Sequence, residues 1–332
     1  MLRAVVEIIA EHPEFRGVVR PVEGRQTVVV EGPTGAYRAA LLARLQEAVG
    51  RPLAVVLPQG VDREAMLLDL RAFHPAGDGH GRVVAFPPLG VDPYGTLTPH
   101  PDHIRERIQT LDRCAGGRVD IVLAPVLSWL ERLQPMDRFL GNTLGIKVGD
   151  ELPPEELVAA LVASGYRRDS LVESLGEFAV RGGVVDIFPP TREHPLRLEY
   201  FGDEIASIRE FNPRDQRSMR SVDTIELPPA REHFNLAASI ADEIAVPAAG
   251  GPREAAEGAP AGGGNQTNAP DGPGAALPGT GTDQDASSSA TLADYLDDPL
   301  WVEIEPEAFE HEENAWSEHL DEHYHRALAD GR

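Results

Sequence analysis

From residue 27 onward, short continuous apolar runs alternate with longer amphipathic stretches. The runs are TVVVEG (residues 27–32), PLAVVLPQ (52–59), RVVAFPPL (82–89) and DIVLAPV (120–126). Between them, Ala36 to Val49, Asp62 to Phe73 and His103 to Cys114 repeat apolar positions with a helical period. Val- and Leu-rich runs without alternation predict strands buried on both faces, and the stretches between them predict crossover helices, so this half of the chain reads as a parallel α/β sheet. Ahead of it, MLRAVVEIIAEHPEF carries Glu7 inside an apolar stretch and lacks a small-residue cleavage site, so it reads as an amphipathic helix and not a leader.

The pattern then changes. PPEELVAALVASGY (153–166) has Pro and Glu at its start and Gly165 at its end, the signals of a helix that should pack Leu157, Leu161 and Val162 on a sheet. GEFAVRGGVVDIFPP (176–190) and LRLEYFGDEIASI (196–208) alternate apolar with polar residues and are rich in Val, Ile, Phe and Tyr, which predicts two antiparallel strands paired across Pro189–Pro190. Period two sends Phe178, Val180, Gly182, Val184, Asp186 and Phe188 to one face of the first strand and Glu177, Ala179, Arg181, Gly183, Val185 and Ile187 to the other, unless Gly182–Gly183 forms a bulge. Arg181, beside the glycines, is placed on an exposed sheet surface, and Tyr166-Arg167-Arg168-Asp169 adds a second basic cluster on the loop leading in. From Val246 to Ala290 the chain is Gly, Pro, Ala, Ser, Asn and Asp with almost no apolar residues, a composition that cannot offset the entropy of ordering and reads as a disordered insertion.

Composition narrows the function. The chain has 332 residues, a formal net charge of -24 and one cysteine, Cys114. A surplus of carboxylates opposes tight binding to a phosphate backbone, where affinity comes from Lys and Arg displacing counterions. One cysteine allows no disulfide framework, and no run approaches the roughly 18 to 20 apolar residues of a spanning helix, so a cytoplasmic protein without membrane contact is expected. The turn after the first apolar run, Gly32-Pro33-Thr34-Gly35-Ala36-Tyr37-Arg38-Ala39, has the frame of a phosphate-binding loop. A working loop needs a glycine, a lysine and a Ser or Thr where this chain has Tyr37, Arg38 and Ala39. Residues 291–332 carry thirteen acidic and two basic residues, and His319-Leu320-Asp321-Glu322-His323 fits the spacing of an inverted zinc peptidase motif. No third ligand is placed by the sequence, so adventitious metal binding is the expectation there, and no metal or cofactor is assigned.

GEFAVRGGVVDIFPP followed by RLEYFGDEIASIREFNP resembles the small second domain shared by the excision-repair helicase UvrB and the transcription-repair coupling factors. The turn at Gly32, Thr34, Gly35 and Arg38 resembles the degenerate nucleotide loop of the coupling factors. Two further departures from UvrB agree with this. LGVDPYGTLTPHPDHIRERIQTL (89–111) leaves no room for UvrB's aromatic DNA-clamping hairpin, and ADYLDDPLWVEIEPE (293–307) ends in Glu305-Pro306 where UvrB has its catalytic Asp-Glu pair. The resemblance implies a degenerate RecA-like α/β domain with an inserted small α+β antiparallel domain. The expected divisions are 1–135 for the first part of the RecA-like domain, 136–230 for the inserted domain, 231–245 for the return, 246–290 for the insertion and 291–330 for the closing strand and acidic helix. It implies UvrA as partner, contacted by Arg167 or Arg168 and by Arg181, with Phe178 and Phe188 adding apolar area. UvrB has a further Arg where this chain has Ala179, which reduces the contact set. ATP with magnesium, RNA polymerase and DNA belong to parts of the family beyond this chain. The expected function is therefore a non-catalytic module that recruits UvrA, with a UvrB-like helicase subunit and an acidic interaction or decoy protein as the alternatives.

Overall fold

The computed structural model describes residues 2–58, 61–74, 82–89, 100–232 and 290–309. Helix α1 (Leu2–Glu11) stops where Pro13 opens α2 (Pro13–Glu23), and Ile9 and Phe15 bury themselves against Ala40 and Leu45 of α3 (Gly35–Val49). Gly50, at φ 65°, ends α3 with its N–H on the Gln46 carbonyl, a left-handed conformation that favours glycine. Then follow β1 (Leu53–Leu57), α4 (Arg63–Phe73), β2 (Val83–Ala85), α5 (Pro101–Ala115), β3 (Ile121–Pro125) and two short helices, α6 (Val126–Leu130) and α7 (Met136–Gly141). Asp62 caps α4 by accepting from the Ala65 N–H at 3.0 Å. The second half holds β4 (Leu144–Lys147), α8 (Pro154–Ala163), β5 (Arg167–Arg168), β6 (Glu177–Arg181), β7 (Val184–Ile187), β8 (Leu196–Phe201), β9 (Glu204–Phe211), β10 (Ser218–Ser221) and β11 (Thr224–Leu227). After the return, β12 (Leu300–Glu303) follows a short 3-10 turn at Leu292–Tyr295.

The first sheet has the order β12-β1-β3-β2 and every pair in it is parallel. Alternate residues of its strands feed two cores. Leu53, Val55, Leu57, Val83, Ile121 and Leu123 pack on α3 and α4, while Ala54, Val56, Val84, Val122 and Ala124 pack on Ile108 and Leu111 of α5 and on Trp129, Phe139 and Tyr295. Burial on both faces is why these strands are continuously apolar in sequence. The expected strand at residues 27–32 is the exception. Residues 26–31 form no ladder, and Val29 is 80% exposed. The segment is instead tied at its two ends to the flanks of β12: Arg25 donates to Asp298 at 2.9 Å, and Arg38, beyond the turn, donates to Glu305 at 2.8 Å. Side-chain pairs hold it in place of backbone ones.

The second half forms a six-stranded sheet of order β10-β9-β8-β7-β6-β5 and a two-stranded ribbon of β4 and β11. Each of the two long runs expected as a single strand folds on itself. Gly182, at φ 58°, and Gly183 turn the chain between β6 and β7, and Gly202, at φ 65°, and Asp203 turn it between β8 and β9. Two-residue turns with a left-handed glycine match the twist of antiparallel strands, which is what the glycine pair and the FGD sequence encode. Part of the expected pairing stands, since β7 runs antiparallel to β8. The turn also changes the predicted faces. Phe178 and Val180 lie opposite Ile187 and Val185, and these residues face the core with Leu196, Leu198, Ile205 and Ile208. Leu157 and Leu161 of α8 close that core, but Val162 points away and is 57% exposed.

The two halves meet along α5. Arg107 is fully buried and forks onto Glu232 of the returning chain at 2.6 and 2.7 Å, with Glu131 at 2.5 Å, the Pro87 carbonyl at 2.7 Å and the Phe86 ring 4.0 Å from its guanidinium carbon. Two residues on, Gln109 donates to the Pro190 carbonyl at 2.9 Å. No described helix is long and apolar enough to cross a membrane. Residues 90–99 of the stretch expected to lack UvrB's hairpin, nearly all of the expected insertion, and the His319–His323 spacing lie outside the described residues.

Candidate functional site

Two places were marked by the sequence, and the sheet geometry sorts the residues of the first. β5 pairs parallel with β6, Arg167 opposite Glu177 and Arg168 opposite Phe178. Partners in register share a face, so Arg167 stands with Arg181 on the outer face and Arg168 stands on the opposite one. Arg167 is exposed, and it holds Glu177 at 2.6 Å with Asp169 at 3.8 Å. Glu177 also accepts from the backbone N–H groups of Glu173 and Ser174, so it ties the loop after β5 to the sheet. Arg181 donates to the Ser170 carbonyl of that loop at 2.5 Å and keeps its remaining donors at an exposed position.

Phe178 and Phe188 sit elsewhere than the resemblance suggested. Phe178 is completely buried in the core beneath the sheet. Phe188 is 8% exposed in a small cluster with Val172, Ala179 and Phe211 under the loop of residues 170–176. Neither ring offers side-chain area to a partner. Ala179 is covered by the same cluster, so its small side chain suits the loop above it. The large exposed apolar group on this side is Phe201, 82% exposed, two positions along β8 from Glu199 and on the face of Arg197 and Arg181. Sequence reading passed over it by treating the FGD segment as mid-strand; recognising Gly202–Asp203 as a turn puts Phe201 at a hairpin tip.

Fixed ion pairs surround these residues. Arg197 forks onto the buried Asp186 at 2.7 and 2.8 Å, with its guanidinium carbon 4.5 Å from the Phe211 ring centre. Arg220 forks onto the buried Glu210 at 2.7 and 2.9 Å, and that hydrogen bonding holds the Glu210 carboxyl below its ordinary pKa. Arg209 reaches Glu199 at 3.9 Å, while Arg214 and Arg217 are exposed in the turn before β10. The net result is a face of alternating charges on which Arg167, Arg181 and Phe201 are exposed.

The second place is the turn before α3. Gly32 and Gly35 take φ of 104° and 51°, and Thr34 caps α3 without a side-chain hydrogen bond. Arg38 folds back across this turn, with Nε on the Pro33 carbonyl at 3.1 Å and Nη2 on Glu305 at 2.8 Å. The arginine at the lysine position is thereby paired with Glu305, the acid that precedes Pro306. Glu305 itself adopts φ 52°, a left-handed backbone uncommon for a glutamate. Among the described residues, no group of three His, Cys, Asp or Glu side chains is placed to hold a metal ion.

Residues 144–233 match the family described as the UvrB interaction domain. The structure is thus that of a RecA-like α/β domain carrying an inserted UvrB interaction domain. Over a wider span the chain is similar to transcription-repair-coupling factors and corresponds to their N-terminal region. It is 32% identical to that of Myxococcus xanthus over 247 residues, 70% of this chain and 20% of the relative. The factor of Mycobacterium tuberculosis (strain CDC 1551 / Oshkosh) is 35% identical over 234 residues, 67% of this chain and 18% of the relative. That of Bacillus subtilis is 29% identical over 225 residues, 68% and 19% respectively. The chain therefore spans about a fifth of the length of the curated relatives it matches.

Proposed function

We propose that this chain is a non-catalytic module that recruits UvrA for transcription-coupled nucleotide excision repair. The observation that carries the reading is the interaction domain at residues 144–233, whose outer sheet face presents Arg181, Arg167 and Phe201 while the opposite face is spent on the core. Guanidinium groups make forked, charge-assisted bonds to carboxylates, and Arg and aromatic residues dominate many interfaces. The docking set is therefore Arg181 and Arg167 with Phe201 as apolar anchor; Arg168 lies on the other face, and Phe178 and Phe188 support the site from within.

An anisotropy titration against purified UvrA from the same organism tests this. Arg181→Ala should weaken binding by about 2 kcal/mol or more, roughly thirtyfold, with circular dichroism unchanged. Arg181→Lys should recover only part of the loss, because an ammonium cannot reproduce the fork. Equal binding by wild type and by an Arg167→Ala, Arg181→Ala, Phe201→Ala triple variant would remove the proposed face.

The non-catalytic part of the reading rests on Arg38. A nucleotide triphosphate entering this turn would have to displace the Arg38 contacts to Pro33 and Glu305 without a lysine or hydroxyl to replace them. Calorimetry at millimolar ATP with magnesium should give no saturable heat. Tight saturable binding would restore the helicase alternative.

A further inference from the structure

Where the two halves meet, a cleft of about 290 Å³ opens between α5 and the turn after β7, lined by Gln109, Asp112, Arg113, Arg118 and Thr191. Its charge runs against that of the chain as a whole. Arg118 is neutralised by Asp112, to whose carboxylate its Nη2 donates at 2.8 Å. Arg113 is different: it is partly buried, yet its guanidinium makes no hydrogen bond and no ion pair among the described residues. Burial, and then the proximity of Arg71, push its pKa down, with Asp112 acting in the opposite direction. Arg71 is itself committed to the Val83 carbonyl at 3.2 Å. Of the acids near it, Asp112 is taken by Arg118, and Glu226 acts on the Asp112 carboxyl. A part-buried guanidinium without a protein acceptor leaves its fork of donors to solvent, and an oxyanion entering the cleft gives it a charged partner.

We propose that this cleft binds a phosphate-type oxyanion. Arg113 supplies the charge and a fork of donors, and the Nε and Nη1 groups of Arg118 lie outside its bond to Asp112. The Thr191 hydroxyl reaches the same space from the inserted domain, and Gln109 retains one amide hydrogen beyond its bond to Pro190. Because the lining comes from both halves, the bound anion joins α5 to the turn at Pro190–Thr191 and stiffens the seam. This site is separate from the outer face of the sheet and from the turn before α3, so it stands or falls independently of UvrA docking.

The test is thermal unfolding and calorimetry of the full chain in sodium phosphate and, separately, sodium pyrophosphate, against sodium chloride at matched ionic strength. The wild type should show saturable binding with a rise in unfolding midpoint beyond that in chloride for at least one of the two. Arg113→Gln should weaken that binding by about tenfold or more, and Thr191→Val, a change at the rim, should weaken it measurably without altering the circular dichroism. Arg181→Gln, on the sheet face, should leave it unchanged. No rise beyond chloride in either salt would overturn the site, as would binding that survives both Arg113→Gln and Thr191→Val.

Discussion

Arg107→Ala is expected to lower the stability of this chain by about 3–5 kcal/mol, read as a shift in the denaturant midpoint at unchanged slope. Arg107 is fully buried, and its side chain meets two carboxylates, a backbone carbonyl and an aromatic ring. Burial alone would lower its pKa, but Glu232 and Glu131 outweigh that and hold it above its ordinary value, so the group stays charged. Removing it strands Glu232, 5% exposed, without its fork and leaves the Pro87 carbonyl and Glu131 short of a donor. Breaking one side of a buried pair costs far more than the pair itself contributes. Two controls separate these terms. Arg107→Lys should recover little, since a single ammonium cannot span Glu232 and Glu131 together. Arg107→Met combined with Glu232→Met should lie much closer to the wild type, because it removes the buried pair, keeps the packing, and leaves without that donor only the Pro87 carbonyl and the part-exposed Glu131. A single-variant loss below about 1 kcal/mol would show that the seam is wet and that the Arg107 contacts do not hold it together.

The network at Arg107 also marks the limit of what the sequence discloses. A helical period places Ile108 and Leu111 on the buried side of α5, and Arg107 beside them reads as a charge at the edge of that stripe. Only the return of the chain at Glu232, 125 residues later, makes it interior. The four continuous apolar runs divide in the same way. β1, β2 and β3 are legible because burial on both faces leaves unbroken apolar runs, and the fourth such run, residues 27–32, is similarly apolar but joins no sheet among the described residues. Propensity reports a preference for extended structure, and pairing decides whether a ladder forms. The antiparallel sheet was legible as a sheet but not as a set of hairpins. Gly182–Gly183 within an alternating run is compatible with a bulge or with a turn, and the two choices assign the faces differently after the glycines. That ambiguity is why Phe178 and Phe188, grouped on one face by simple alternation, fall into two different clusters on opposite sides of the sheet. The turn before α3 showed in sequence which chemical groups were lost, and the structure adds that Arg38 and Glu305, 267 residues apart, have become partners.

Phe178→Ala is expected to destabilise the fold by about 3–5 kcal/mol, because the ring is completely buried and its removal leaves a cavity that strands on both sides prevent from closing. The neighbours that would have to move, Val185, Ile187, Leu157 and Leu161, are held by the β6–β7 ladder and by α8, so little relaxation is available. Phe201→Ala is the counterpart. With 82% of its surface already exposed, its loss should change stability by no more than about 0.5 kcal/mol. The two substitutions therefore separate support from contact. Below its own unfolding transition, the Phe178→Ala protein should bind UvrA as the wild type does, while Phe201→Ala, fully folded, should bind about tenfold more weakly. Paired measurements of denaturant midpoint and UvrA affinity on both variants decide it. A Phe178→Ala protein as stable as the wild type but deficient in binding would move that ring from the core to the interface, and with it the whole assignment of the two faces of the sheet.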